Sequence, residues 1–238
     1  MKNILYSLCI LCLCSCNNIV DVVDEVKSLS KQTIDYNDYR YVIDKKDRRG
    51  YVTTDNEIMN GHYVVLRDGE LYEEFQIKKG FLHGVHIEYG KNGSIDTQKS
   101  YKHSYLDGPY FSYYPSGVLK YETAYKNGKI NSAEIEYDAN GKKSRVMETV
   151  DGVAYDHMYR NDQQLMSIYE KEIEDETFEI IMKYDNFQNI ELILGKKTKE
   201  KTPEFYVFDT NFEIVEIVNA QIDPQTAAYY LGMLRITP

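Results

Sequence analysis

Two histidines 24 residues apart, His62 and His86, with His83 close to the second, are residue types that can share a metal ion. The text around them repeats at the same interval, so they occupy one column of a repeat. If each repeat adds two strands to a sheet, column mates stand about 9.5 Å apart. That is long for two side chains to meet one zinc ion at about 2.0–2.1 Å per ligand. The column also continues as Tyr110 and Glu134, so these histidines are expected in structural or surface roles and no metal is expected. The acidic stretch YEKEIEDETFE, with Glu170, Glu172, Glu174, Asp175, Glu176 and Glu179, lacks the alternating ligands and turn glycine of a calcium loop. It reads as a solvated hairpin end facing the basic KKTKEK that starts at Lys196. Nucleophile elbows, paired-histidine zinc motifs, phosphate loops and dinucleotide glycine patterns are absent, so neither a catalytic residue nor a cofactor is expected.

The repeat itself has to place whatever chemistry there is. In steps of 24, Gly69, Gly93, Gly117 and Gly141 fall in one column, and Gly80, Ser104, Gly128 and Gly152 in another. The tripeptides RDG, KNG, PSG and ANG suit a type I turn closing on a left-handed residue, which glycine adopts without a Cβ clash. The strand before each turn alternates. Tyr63, Ile87, Phe111 and Ile135 form one column and Val65, Tyr89, Tyr113 and Tyr137 the next, with Val64, Glu88, Ser112 and Glu136 between them. That pattern predicts one buried and one wet face. Tyr89, Tyr113 and Tyr137 are expected as packing residues, whereas Tyr110, Tyr114 and Tyr121 are expected to be exposed and to contact a partner.

These residues resemble the MORN repeat, in the variant found in the YwqK family of bacterial proteins. GVHIEYGKNGSI and GPYFSYYPSGVL with YKNGK carry the likeness, which covers residues 61–156. Ser132 and Asp156 replace the expected leading glycine of a copy. The resemblance implies a scaffold, and related proteins often carry an antitoxin or immunity label.

The aromatic-then-polar turn recurs at Tyr159, Tyr184 and Phe208, and Tyr41 stands 24 residues before Val65. About eight hairpins stacked edge to edge are therefore expected, an all-β repeat array with residues 39–156 as clear copies and 157–218 as a degenerate continuation. Both ends need covers. Residues 219–238 read as a helical cap, with Asp223 as N-cap and Pro224 in the first turn.

The first residues tell a separate story. Lys2 precedes a short apolar run, too short to span a bilayer, that ends in Leu13, Cys14, Ser15 and Cys16. This resembles the bacterial lipoprotein lipobox. It implies a signal peptide over 1–15, an acyl group on Cys16, and a tether or short helix over 16–38 through Ile19, Val22, Val23 and Val26. Asn17 after the cysteine implies, by the same resemblance, export to an outer membrane. All four cysteines lie here, so the rest of the chain has no thiol for disulfides, metals or nucleophilic catalysis. The formal charge of −10, with 23 tyrosines and no tryptophan, favours strands and argues against nucleic acid, which needs a basic footprint. The sequence thus points to a non-catalytic envelope lipoprotein that binds a protein or a cell-wall glycan. An antitoxin or immunity role is the second reading, and an enzyme acting on envelope glycan or peptide the third.

Overall fold

The computed structural model describes residues 31–234. Strands β1 (Lys31–Asp35), β2 (Tyr39–Ile43) and β3 (Arg49–Thr53) come first, with a single 3-10 turn at Tyr36–Asp38. The array follows as β4 (Gly61–Arg67), β5 (Glu70–Lys78), β6 (Phe81–Tyr89), β7 (Ile95–Lys102), β8 (Tyr105–Tyr113) and β9 (Leu119–Lys126). It continues through the short β10 (Lys129–Ile130), β11 (Glu134–Tyr137), β12 (Lys143–Val150), β13 (Val153–Arg160) and β14 (Gln163–Ile173). Its last strands are β15 (Glu176–Tyr184), β16 (Ile190–Lys197), β17 (Glu204–Phe208) and β18 (Ile214–Asn219), and one helix, α1 (Pro224–Met233), ends the fold. The result is one elongated, open, mixed sheet of hairpin-like strands with a short C-terminal helix.

Two kinds of turn alternate along the array. Two-residue turns with both residues at positive φ join β5 to β6 at Lys79 and Gly80, β7 to β8 at His103 and Ser104, and β12 to β13 at Asp151 and Gly152. This is the type I′ geometry that matches strand twist. Five-residue loops close five of the other ends, and Gly93, Gly117 and Gly141 take the left-handed position as expected, with φ of 76°, 85° and 78°. Where the glycine is lost, the loop survives on an aspartate. Asp185 Oδ1 accepts from the Phe187 and Asn189 amides at 2.8 and 2.9 Å, and Asp209 Oδ1 from Asn211 and Glu213 at the same distances. Gln188 and Phe212 then hold the left-handed position. Such side-chain capture of the loop amides is what keeps the hairpin period legible past residue 157.

Two turns depart from the pattern, each closing in two residues where the other copies use five: Asn161 and Asp162 between β13 and β14, and Asp68 and Gly69 between β4 and β5, all four at positive φ. The β4–β5 turn rearranges a face. This slides β4 by one residue against β5, and a one-residue slide reverses every side chain. Tyr63 opposes Phe75, which opposes His86, while Ile87 opposes Glu74 and Gln98. Tyr63 and Ile87, expected in one column on one face, therefore lie on opposite faces. The leading glycines have a separate task. Gly84 and Gly108 sit at φ of 101° and 118° beside register shifts in the β5–β6 and β7–β8 ladders. Ser132 instead falls in the break between β10 and β11, its Oγ accepting from the Ala124 amide at 2.7 Å. Asp156 sits in a β12–β13 ladder that runs without a shift.

Both ends of the array carry a cover over one face, though the N-terminal cover is not the expected one and the C-terminal helix lies on the face and not along the edge of β18. All eight hairpins are present, but β2–β3 does not stack in line. Its Tyr39 and Tyr51 rings lie 5.5 Å from Phe75, and the Tyr51 amide donates to the Gly80 carbonyl at 2.6 Å. The hairpin thus lies over the face that carries Tyr63, Phe75 and His86, here termed the capped face, and buries Met59, Val65, Ile77 and Leu82. The edge place is taken by β1, which runs parallel to β4 from Lys31↔His62 to Asp35↔Leu66. Residues 31–38, expected as the end of a tether, are thus a strand and a 3-10 turn, while the signal peptide, Cys16 and the helix through Ile19 to Val26 lie outside the described residues. At the far end α1 covers the capped face, with Ala227 packed on Leu192, Leu194, Val207 and Val218. Its N-cap is as expected, Asp223 accepting from the Thr226 amide at 3.1 Å with Pro224 following. Between the covers, from β8 to β13, most residues are half-buried on both faces. Burial there comes from cross-strand neighbours.

Candidate functional site

The sector of the capped face between the two covers is where the array presents aromatic and charged side chains together. Alternation aims Lys99 of β7, Tyr110 of β8 and Thr123 of β9 at this face in one cross-strand row. Tyr121 and Tyr125, two residues either side of Thr123, flank Tyr110 diagonally, their ring centroids 5.7 and 6.0 Å from it. Such diagonal neighbours are within reach of large rings. Lys99 places its Nζ 5.9 Å from the Tyr110 centroid, a cation–π distance, and 2.7 Å from Glu88 Oε2.

Hydrogen bonds hold the charges of this sector in place. Burial pushes the Glu88 carboxyl up, but the Lys99 and Thr97 side chains that donate to it outweigh this and hold it below the usual carboxylate range. Tyr121 donates its hydroxyl to Glu134 Oε2 at 2.5 Å; burial first, then this carboxylate, raises the phenol well above its ordinary value. Arg145 forks onto Asp156 at 2.8 and 2.7 Å and lies 3.9 Å from Glu136. Bidentate pairing of this kind adds geometric definition. Ring faces beside fixed carboxylates suit contact with a ligand carrying polar or cationic groups.

Of the three tyrosines expected to be exposed contacts, Tyr110 and Tyr121 come together here and Tyr114 does not. All three are half-buried. Tyr114 lies in the loop after β8, donates its hydroxyl to the Tyr137 carbonyl at 2.8 Å, and carries Lys120 Nζ at 5.8 Å from its ring; it ties one repeat to the next. Tyr125 belongs to the site although its column reads as the closing residue of a strand. Its spacing of four from Tyr121, opposite Tyr110, is the signal that would find it. Tyr137, on the other face, donates to Glu122 at 2.6 Å.

The histidine column is divided between the faces. His62 Nε2 is 2.7 Å from Glu74 on one side and His86 Nε2 is 2.7 Å from Glu73 on the other. Among the described residues no group of three histidine, cysteine or acidic side chains is arranged to hold a metal ion. The acidic run spans the β14–β15 turn, with Glu174 and Asp175 at its tip, and does face the basic stretch: Lys196 opposes Glu179, and Lys197 Nζ lies 3.5 Å from Glu176. Between β16 and β17, a cavity of about 600 Å³ is lined by Lys196, Lys201, Thr202 and Gln221 among others.

The profile of the family described as the MORN repeat variant matches residues 106–127, which is β8, its five-residue loop and β9 with the start of the following turn. That copy holds Tyr110, Tyr121 and Tyr125, so the site is built on the repeat with the clearest MORN character. No curated protein matches the chain.

Proposed function

We propose that this chain is an envelope lipoprotein, held to the membrane through an acyl group on Cys16, whose hairpin array is a non-catalytic binding scaffold for a protein or a cell-wall glycan. A binding or structural role fits the MORN-repeat character of residues 106–127. The observation that carries the reading is the uncovered sector of the capped face, where Tyr110, Tyr121 and Tyr125 form one cluster between a hairpin cover and a helix cover. Recognition surfaces concentrate their energy in such central aromatic clusters.

The test has two arms. Metabolic labelling with a clickable fatty acid, wild type against Cys16→Ala, reads the anchor, and protease treatment of intact cells then reads which side the array faces. Cross-linking in envelope extracts, wild type against Tyr110→Ala, reads the surface. Label that depends on Cys16 and a partner lost with Tyr110→Ala support the proposal; a chain that stays unlabelled in the cytoplasm, or a partner indifferent to Tyr110, overturns the corresponding half.

An immunity role, neutralising a basic toxin, is favoured by one feature. Glu134, Glu136 and Asp156 line the same sector, in a chain of formal charge −10, and complementary charge speeds and selects such encounters. A toxin-like reading frame beside the gene supports this version, and its absence weakens it.

A further inference from the structure

The far end of the sheet is finished differently from the near end. β18 pairs with β17 along one side, and among the described residues no strand has a pairing register with its other side. Exposed sheet edges are normally blunted by lysine, proline, bulges or very short strands. β1, at the opposite edge, follows that rule with the sequence KQTID. β18 reads IVEIVN, and its Ile214, Val215 and Ile217 are 46, 67 and 55% exposed. Its single charged side chain, Glu216, is engaged by the Tyr230 hydroxyl at 2.7 Å.

We infer that the free edge of β18 is a self-association surface through which two copies of this chain pair β18 to β18, antiparallel, as a closed dimer.

Charge selects the occupant. A chain of net charge −10 repels its own copies wherever acidic surfaces meet, and this edge carries one charge in six residues. An antiparallel pairing centred on Ile217 sets Ile217 opposite the partner's Ile217 and each Glu216 opposite the partner's Val218, so the two carboxylates never face each other. The same register brings apolar surface to apolar surface. Ile214 and Ile217 share a face with Phe208 and Tyr206, so two buried clusters of Phe178, Ile180, Ile193, Tyr206 and Phe208 become one across the seam. Antiparallel neighbours keep their faces, so both α1 helices, with Tyr229 and Leu231 exposed at 64 and 50%, come to the capped side. One isologous contact satisfies both free edges and closes, whereas β18 pairing with β1 of another copy would propagate without end.

The test is sedimentation velocity of the purified full chain carrying Cys16→Ala, so that no acyl group drives association, over about 1–100 µM. Twice the chain mass at the upper end is expected. Val215→Lys and Ile217→Lys are each expected to weaken the dimer at least about tenfold while leaving circular dichroism unchanged. Because Ile217→Lys can also weaken the fold, hydrogen exchange of the wild-type chain is the second reading: amides of β18 should gain protection as concentration rises, and those of β1 should not. A monomer throughout the range overturns the inference, whether residues 1–30 of the same chain cover the edge or nothing does. Mass that grows without limit, or protection shared by β1, overturns it in favour of end-to-end filaments.

Discussion

Glu73 and Glu74 are neighbours in β5 and point to opposite faces of the sheet, and each holds a histidine at 2.7 Å and a residue of the N-terminal segment. On the capped face Glu73 accepts from His86 Nε2 and from the Tyr39 hydroxyl; on the other Glu74 accepts from His62 Nε2 and from Lys31 Nζ at 2.8 Å. One pair of adjacent carboxylates thus fastens both the β2–β3 hairpin and β1 to the array. His86 Nδ1 is buried without a partner, so Nε2, 2.7 Å from Glu73, makes the ring's hydrogen bond.

The two fastenings are expected to differ in strength. Glu73 is 9% exposed, so Glu73→Gln removes charge-assisted hydrogen bonds in a dry site and should cost about 2 kcal/mol, a fall of about 4–8 °C in Tm for a chain of this size. The Lys31 side chain is 57% exposed, and Glu74→Gln should cost under about 1 kcal/mol. Hydrogen exchange locates the effect: Glu73→Gln should speed exchange across Tyr39–Thr53, and Glu74→Gln across Lys31–Asp35. Equal losses from both variants would contradict the assignment.

Stability should fall at both ends of the pH scale for opposite reasons. The Asp44 carboxyl is lowered to about 2 by the Arg48 side chain and amide, and Glu88, Asp185 and Asp223 are also lowered by donors. Carboxyls whose folded value lies below the unfolded value near 4 contribute stability above about pH 4. They lose it as pH falls through their folded values toward about 2. Burial and then Glu73 push Tyr51 up to about 12, and burial with the Glu73 hydrogen bond raises Tyr39 as well. A raised phenol contributes stability below its unfolded value near 10, lost as pH climbs from there toward 12. A Tm series from about pH 3 to 11 should show a plateau between about pH 5 and 9. The phenolate absorbance of the last tyrosines to ionise should appear together with loss of the hairpin cover, and an early, complete tyrosine titration would contradict the buried cover.

What could be read in advance followed from local rules. Turn glycines, alternation and the period are each decided within a few residues, and so is the Asp223–Pro224 helix start, so the hairpins and the cap were legible. The position of β2–β3 was not, because Tyr41 sits at the right interval while Tyr39 and Tyr51 pack on Phe75, a contact made only in three dimensions. The reversed face of β4 turns on whether RDG closes as two residues or five, and both are compatible with glycine. Half-burial of Tyr110, Tyr114 and Tyr121 was not legible, because it comes from cross-strand neighbours for the first and last of them and, for Tyr114, from a loop position that lets it donate to Tyr137 of the next repeat. The Glu73 and Glu74 fastenings depend on partners 34 and 43 residues away.

Gly195 offers a prediction outside the turn columns. It lies in β16 directly under aromatic packing, where a methyl group would stand 2.6 Å from Phe208 Cε2, 3.0 Å from Ile180 Cδ1 and 3.3 Å from Phe178 Cδ1. Ile180 and its neighbours are fully buried and cannot yield cheaply, so Gly195→Ala should cost about 1–3 kcal/mol through overpacking. A thermal melt reads it. If the variant is as stable as wild type, the cluster on that face is looser than its burial implies.

The two glycine families should respond differently to the same substitution, because one needs a dihedral and the other needs a dihedral and space. Gly93 takes φ of 76° with nothing within 4 Å of a would-be Cβ, so Gly93→Ala should cost only the left-handed strain of about 1–2 kcal/mol, and Gly93→Asn less. Gly84 takes φ of 101°, and a methyl group there would overlap Gln76 Oε1 and stand 3.0 Å from its Cδ. Gly84→Ala should therefore cost about 3 kcal/mol, strain plus steric conflict. Adding Gln76→Ala should return the steric part and leave a residue close to that of Gly93→Ala. Chemical denaturation of the four variants measures both contributions. No recovery in the double variant would mean that the Gly84 requirement is backbone alone, and equal costs for Gly84→Ala and Gly93→Ala would remove the reason for a leading glycine in these copies.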